Sequence, residues 1–156
     1  MTDPVLVVGG QGFFGRALVD DLLEQTEARI VVAGRRRRTP LRHPRLSWRT
    51  FDLTQPGPLE GHAAVVCCAG PYQGMPTTLV EAAARASVPY VDLADARDFI
   101  IRARKVLSSA PLMVGLSVVP GLTCLLDGFR KAGYGRQGWT AGFRTFRRNC
   151  PGGGWN

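Results

Sequence analysis

Three glycines, set between an unbroken apolar run and a helical pattern, constrain this chain more than any other feature of its sequence. Val5-Leu6-Val7-Val8 is continuous and rich in β-branched residues, as expected of a strand buried on both faces. It leads into Gly10-Gln11-Gly12-Phe13-Phe14-Gly15, and from about Phe13 onward Leu18, Val19, Leu22 and Leu23 recur at helical steps. That spacing puts one apolar stripe of a helix against a sheet. In such a unit the first glycine permits a tight turn, the second lets a diphosphate approach the backbone, and the third lets helix and strand pack closely. The diphosphate then lies where free N–H groups and the helix dipole favour negative charge. A glycine-rich turn by itself is a weak signal; the strand–turn–helix order is what points to a dinucleotide rather than a merely structural turn.

The rest of the chain alternates in the same way. Ile30-Val31-Val32-Ala33, ending at Gly34, reads as a second strand, Leu46 to Phe51 as a third and Ala64 to Cys68 as a fourth. A helix is expected from about Pro76, with Leu79, Val80, Ala83 and Ala84 on its inner side, since proline suits a first turn. Val88 to Leu93 reads as strand five, Asp95 as the N-cap of a helix running to Leu107, and Leu112 to Leu116 as strand six. Six strands with intervening helices predict an α/β fold of the Rossmann type. It is a doubly wound, mostly parallel sheet of order 3-2-1-4-5-6 with helices on both faces.

Cofactor choice is read at the end of the second strand. An NAD-binding chain usually carries a carboxylate there, about 20 residues beyond the glycines, to hold the ribose hydroxyls. This chain has Gly34-Arg35-Arg36 instead, and no acid until Asp52. An arginine fork binds a 2′-phosphate through charge-assisted hydrogen bonds where a carboxylate repels it. NADP(H) is therefore the expected cofactor, with Arg35 the first candidate and Arg36 the second; Arg37 and Arg38 read as a solvated run. Asp52, followed by Leu53, is placed either to accept from the adenine amino group or to cap a turn. Cys68-Ala69-Gly70-Pro71, at the end of strand four, should face the cofactor where the strand order reverses. Cys68 has no neighbouring base to make it a thiolate, so a catalytic role is disfavoured.

The formal charge of +8 over 156 residues suggests nucleic acid only until its distribution is considered. Arg35 to Arg38 and the six cations after Asp127 supply it, so it belongs to one loop and one tail. The tail has no regular aromatic interleaving, and a nucleic-acid partner is not expected. Residues 1–127 read as the nucleotide-binding domain. Residues 128–156 hold eight glycines and no acid, a composition with little to bury; abnormal termination by truncation or frameshift, or a genuine basic tail, would each look like this. No apolar run reaches the length of a membrane span. The start lacks a signal-peptide pattern, and four cysteines without a CxxC pair suggest reduced thiols, no metal and a cytoplasmic location.

Val7 to Gly15, Ala33-Gly34-Arg35, Cys68-Ala69-Gly70-Pro71-Tyr72-Gln73-Gly74, Pro89-Tyr90-Val91-Asp92-Leu93 and Ser117-Val118-Val119-Pro120-Gly121 together form a further pattern. It resembles the NADP-binding domain of the saccharopine dehydrogenase-like family over about Pro4 to Leu126. The resemblance implies an oxidoreductase in two parts, in which a second α/β domain entered after the sixth strand builds the substrate side. Hydride transfer at the imine or C–N bond of an amino-acid-like small molecule is the implied chemistry. Carried onto this chain, Gly70, Pro71, Tyr72 and Ser117 to Gly121 would border the nicotinamide, and Tyr90 and Asp92 would line the neighbouring crevice, Asp92 being equally a structural acid. The chain departs from that pattern by stopping where the second domain should begin, which implies little turnover by itself; a homodimer stays open.

Two other readings compete. Gly9, Gly12 and Gly15 also satisfy the short-chain dehydrogenase spacing, but that chemistry wants a lysine four residues after a tyrosine. Tyr72, Tyr90 and Tyr134 are followed at that distance by Pro76, Ala94 and Gly138. A non-catalytic module that senses or binds NADP(H) fits a lone nucleotide domain.

Overall fold

The computed structural model describes residues 3–116. Six parallel strands form one sheet of order β3-β2-β1-β4-β5-β6, the order expected from the sequence. The strands are β1 (Val5–Val8), β2 (Ile30–Gly34), β3 (Leu46–Thr50), β4 (Ala64–Cys67), β5 (Tyr90–Asp92) and β6 (Leu112–Met113). Three helices cross over after β1, β4 and β5: α1 (Phe13–Gln25), α2 (Thr78–Arg85) and α3 (Arg97–Ala103). Contrary to the expected alternation, β2 passes to β3 and β3 to β4 without a helix, where Pro40, Pro44, Pro56 and Pro58 interrupt any helical run. The strand order reverses between β2-β1 and β1-β4, so the carboxyl ends of β1 and β4 diverge into a crevice.

Alternation along β1 divides the core. Leu6 and Val8 face the layer of α2 and α3, packing with Val65, Cys67, Leu79, Val80, Tyr90 and Phe99. Val7 faces α1, packing with Val19, Ile30 and Val32, and Leu18, Leu22 and Leu23 of the expected stripe lie against that cluster. Both faces of the central strand are dry, which is why its sequence is an unbroken apolar run rather than an alternating one. Each such valine or leucine contributes roughly 1.5–3 kcal/mol by burial.

Element ends depart from expectation in places. β6 stops at Met113, not Leu116, because Gly115 takes φ +84° and turns the chain out of the sheet. α3 begins at Arg97 behind Ala96 rather than behind Asp95, which is exposed, and it ends at Ala103. α2 begins at Thr78 and buries Ala82 where Ala84 was expected. α1 has no basic residue in its last turn; Arg45, just before β3, supplies the cation. Its guanidinium donates to Leu23 O at 2.5 Å and to Thr26 O, meeting the exposed carbonyls at the negative end of the helix dipole. Among the described residues no helix is long and apolar enough to cross a membrane. The expectations for Ser117 to Gly121 and for the 128–156 tail lie outside the described residues.

Candidate functional site

The glycine loop is built by backbone contacts. Gly9, at the end of β1, takes φ +78°, and a Cβ there would sit 2.8 Å from Ala69 N, so the loop after β1 and the loop after β4 touch at the crevice. Gly9 N donates to Ala33 O and Gly12 N to Gly9 O, both at 2.8 Å. Gly15 is buried, and a Cβ on it would fall 2.2 Å from Gly9 O: only glycine lets α1 approach the turn. Gly10 is nearly as tight, with Val32 Cγ1 3.0 Å from the position of a Cβ. Gly12 differs. It is exposed, and a Cβ there would meet only Gly9 O, at 3.2 Å. The space over Gly12 is open to a ligand.

α1 starts at this spot with no side-chain cap and no acid in its first turn. Its first intrahelical bond is Arg16 N to Gly12 O at 2.9 Å, so the amides of Phe13, Phe14 and Gly15 have no helical partner. A cluster of free donors beside an open glycine, with no competing carboxylate, is suited to a diphosphate. Phe13 and Phe14 are 70% and 46% exposed and pack edge to face, ring centroids 5.2 Å apart, an apolar flank beside the cradle.

Arg35 and Arg36 leave β2 directly after Gly34 and are exposed. Neither takes part in an ion pair among the described residues. The charge of Arg35 reaches Asp52, whose carboxyl is held below its ordinary range first by hydrogen bonds from the Thr54 amide and hydroxyl and then by Arg35. Those two bonds, both 2.8 Å to Oδ1, make Asp52 the cap of a turn. Leu53 behind it packs on the core, and its carbonyl accepts from the Thr78 hydroxyl.

At the end of β4, Ala69 is partly buried and Gly70 and Pro71 are exposed, with open space around Gly70. Burial pushes the Cys68 thiol up to about 12, so it stays protonated at neutral pH. Tyr72 presents its backbone there but not its phenol. The ring is buried against Phe99, and the hydroxyl donates to Cys67 O at 2.7 Å while accepting from Leu93 N at 3.3 Å. Burial drives its pKa upward.

Tyr90 and Asp92 do not line the crevice. β5 is an interior strand, both side chains point into the α2–α3 layer, and they are 1% and 0% exposed. Asp92 Oδ1 accepts from Ala94 N at 3.0 Å and Gly115 N at 2.8 Å, and Leu116 N donates to Asp92 O. It is a structural acid that straps the exit of β6 to the end of β5. Among the described residues Oδ2 has no hydrogen-bond partner at ordinary distance, although the nearby Tyr90 phenol favours the ionised form; burial dominates and raises the pKa.

Sequence reasoning missed one tie. The Gln11 side chain reaches the arginine loop, donating from Nε2 to Thr39 O and Thr39 Oγ1 at 2.8 Å each and accepting at Oε1 from Arg38 N at 2.7 Å. Arg37 Nε adds a local bond to Thr39 O at 3.4 Å. No periodicity marks a contact between residues 27 and 28 positions apart. Among the described residues there is no cluster of metal-ligating side chains.

Comparison with known proteins agrees with this geometry. The family model described as the saccharopine dehydrogenase NADP-binding domain matches residues 5–113. Among curated proteins none matches. Of solved structures, a short-chain dehydrogenase/reductase from Veillonella parvula is similar at TM-score 0.51 and 20% identity, over 59% of this chain and 47% of that one. An oxidoreductase from Lactococcus lactis is similar at TM-score 0.49 and 20% identity, over 68% of this chain and 53% of that one. The chain thus spans about half the length of these solved relatives, and the likeness to the first is one of fold.

Proposed function

The chain belongs to the saccharopine dehydrogenase NADP-binding domain family, and from that membership we propose that it serves as the nucleotide-holding half of an oxidoreductase acting at a C–N bond of an amino-acid-like substrate. NADP(H) is the cofactor; when bound it supplies or takes up the hydride. The chain's own residues grip, orient and discriminate. The first-turn amides of α1 receive the diphosphate over Gly12, and Arg35, with Arg36 beside it, takes the 2′-phosphate. Ala69, Gly70 and the backbone of Pro71 and Tyr72 form a small-residue wall for the nicotinamide ribose.

The observation that carries this reading is the uncapped start of α1, tied through the Gln11 side chain to a loop of exposed arginines after β2, where a carboxylate would serve NAD. The described groups near the nicotinamide wall do not move protons at neutral pH: the Cys68 thiol is pushed up to about 12 and the Tyr72 phenol is buried and bonded. Imine reduction also requires a proton on nitrogen and a substrate held about 3–3.5 Å from the reacting carbon with water excluded. In this reading both come from a substrate-side domain rather than from the described residues.

Calorimetry on the whole chain tests the proposal. NADPH should bind more tightly than NADH, and Arg35→Ala should weaken NADPH by about tenfold to a hundredfold, as loss of a charge-assisted contact does, with little change for NADH. Equal losses would remove the phosphate assignment. Turnover assays on this chain and on one extended by its downstream reading frame separate the oxidoreductase half from a sensing module, which would bind and never turn over.

A further inference from the structure

We propose that Gln11 sets the preference for the 2′-phosphorylated cofactor without touching the phosphate, by holding the arginine loop against the glycine loop. The inference rests on the NADP(H) reading above and adds a positioning residue to it. Gln11 lies between Gly10 and Gly12, where the backbone serves the diphosphate, yet its side chain turns away to Thr39 and Arg38. The amide is fixed in one orientation: Thr39 O can only accept and the Arg38 N–H can only donate. The position therefore needs a donor and an acceptor on one planar group, at glutamine's reach.

The loop it holds has little else to hold it. Residues 35–40 are all exposed and form neither helix nor strand, and four consecutive arginines repel one another. Among the described residues the loop's one further side-chain bond, Arg37 Nε to Thr39 O, is local and long at 3.4 Å. A loop that samples many positions presents its arginines correctly for only part of the time, and apparent affinity falls by that fraction. The reduction applies to the ligand that uses the arginines. NADH, which carries no 2′-phosphate, is gripped by α1 whether or not the loop is ordered. Gln11 thus links the diphosphate grip, common to both nucleotides, to the arginines that tell them apart.

The test is a set of calorimetric titrations of the full chain with NADPH and with NADH, for Gln11→Ala, Gln11→Glu, Arg35→Ala and the Gln11→Ala/Arg35→Ala pair. Gln11→Ala should raise the Kd for NADPH about tenfold and that for NADH less than about threefold. Gln11→Glu keeps the shape but sets an acceptor against Thr39 O and a negative charge near the phosphate, so its NADPH loss should be larger still. If Gln11 acts through the arginines, the pair should bind NADPH no worse than Arg35→Ala alone. Equal losses of both nucleotides, or additive losses in the pair, overturn the inference. Should Gln11→Ala fail to fold, Gln11→Met, which keeps the length and removes both hydrogen bonds without adding charge, carries the same comparison. If Arg35→Ala leaves the NADPH/NADH ratio unchanged, the phosphate reading fails and takes this inference with it. If Arg35→Ala is selective and neither Gln11 variant is, only the inference falls.

Discussion

Gly15 and Gly12 belong to one motif but should fail in opposite ways when changed. In Gly15→Ala the new methyl would lie 2.2 Å from Gly9 O, 2.7 Å from Gly10 Cα and 2.8 Å from Gly9 C. The closest of these is more than an ångström short of ordinary contact, and every partner is backbone that cannot rotate aside. Alanine gains about 1 kcal/mol over glycine in a helix, but forcing atoms into a closed space costs about 1–3 kcal/mol, and more where backbone must move. We expect a net loss of about 3 kcal/mol and a fall in Tm of about 10 °C. In Gly12→Val the new Cβ meets only Gly9 O, at 3.2 Å, from an extended backbone (φ −77°, ψ 177°) that valine tolerates. Its stability should fall by about 1 kcal/mol, the scale of a poor N-cap, while binding of NADPH and NADH is lost together because the side chain occupies the diphosphate space. Thermal unfolding by circular dichroism and calorimetry with both nucleotides measure the two effects. A Gly15→Ala protein as stable as the parent would refute the close-packing argument, and unchanged nucleotide affinity in Gly12→Val would refute the cradle.

The Asp92 carboxyl has its pKa raised by burial above the ordinary 3.8, so its ionised form costs stability at neutral pH, and that cost is relieved as pH falls through its folded value toward 3.8. Asp92→Asn, which keeps Oδ1, should gain Tm over the parent at pH 7 and lose that advantage by pH 4; a difference independent of pH would contradict the titration. Asp92→Ala strands the amides of Ala94 and Gly115 and should cost about 2–5 kcal/mol in denaturant unfolding. Cys67 and Cys68 should resist iodoacetamide at pH 7.5 in the folded protein and react on denaturation, as peptide mass spectrometry would read, because burial raises both thiols. Arg45→Ala uncovers the carbonyls at the end of α1 and should cost about 1–2 kcal/mol; no change in Tm would mean solvent serves them equally well.

What the sequence made legible was whatever repeats along it. β1 is an unbroken apolar run because both its faces are covered, and α1 shows its stripe at Leu18, Val19, Leu22 and Leu23 because one side is dry. Strand order followed from the alternation of strands and helices once the glycine loop fixed which strand came first. Element ends were less legible, because they answer to distant partners. Asp95 has the chemistry of a cap, but the chain between β5 and α3 is set by Asp92 binding Ala94 N and Gly115 N, and the helix starts two residues beyond Asp95. Strand six is cut short by one glycine whose positive φ no pattern announces. In the candidate site, the strand–turn–helix placement of the glycines could be read and side-chain directions could not. Tyr72 sits where the motif puts it yet turns its phenol to Cys67 O, and Gln11 reaches a loop 28 residues away.

These differences separate two properties that one motif joins. The proposed grip on the diphosphate rests on positions held from several sides: Gly15 against Gly9, Gly9 against Ala69, and α1 packed on Val7 and Val32. A change at Gly9, Gly10 or Gly15 disturbs the sheet, so there affinity for either nucleotide should fall together with stability, whereas Gly12, open on its ligand side, separates the two. In the proposed reading, discrimination falls to exposed side chains on one loop, held by the amide of Gln11 and by the ends of β2 and β3. A change there costs the fold little. Substitutions at residues 11 and 35 to 39 should therefore move cofactor preference at nearly constant Tm, whereas substitutions at residues 9, 10 and 15 should move Tm and the affinities for both nucleotides together.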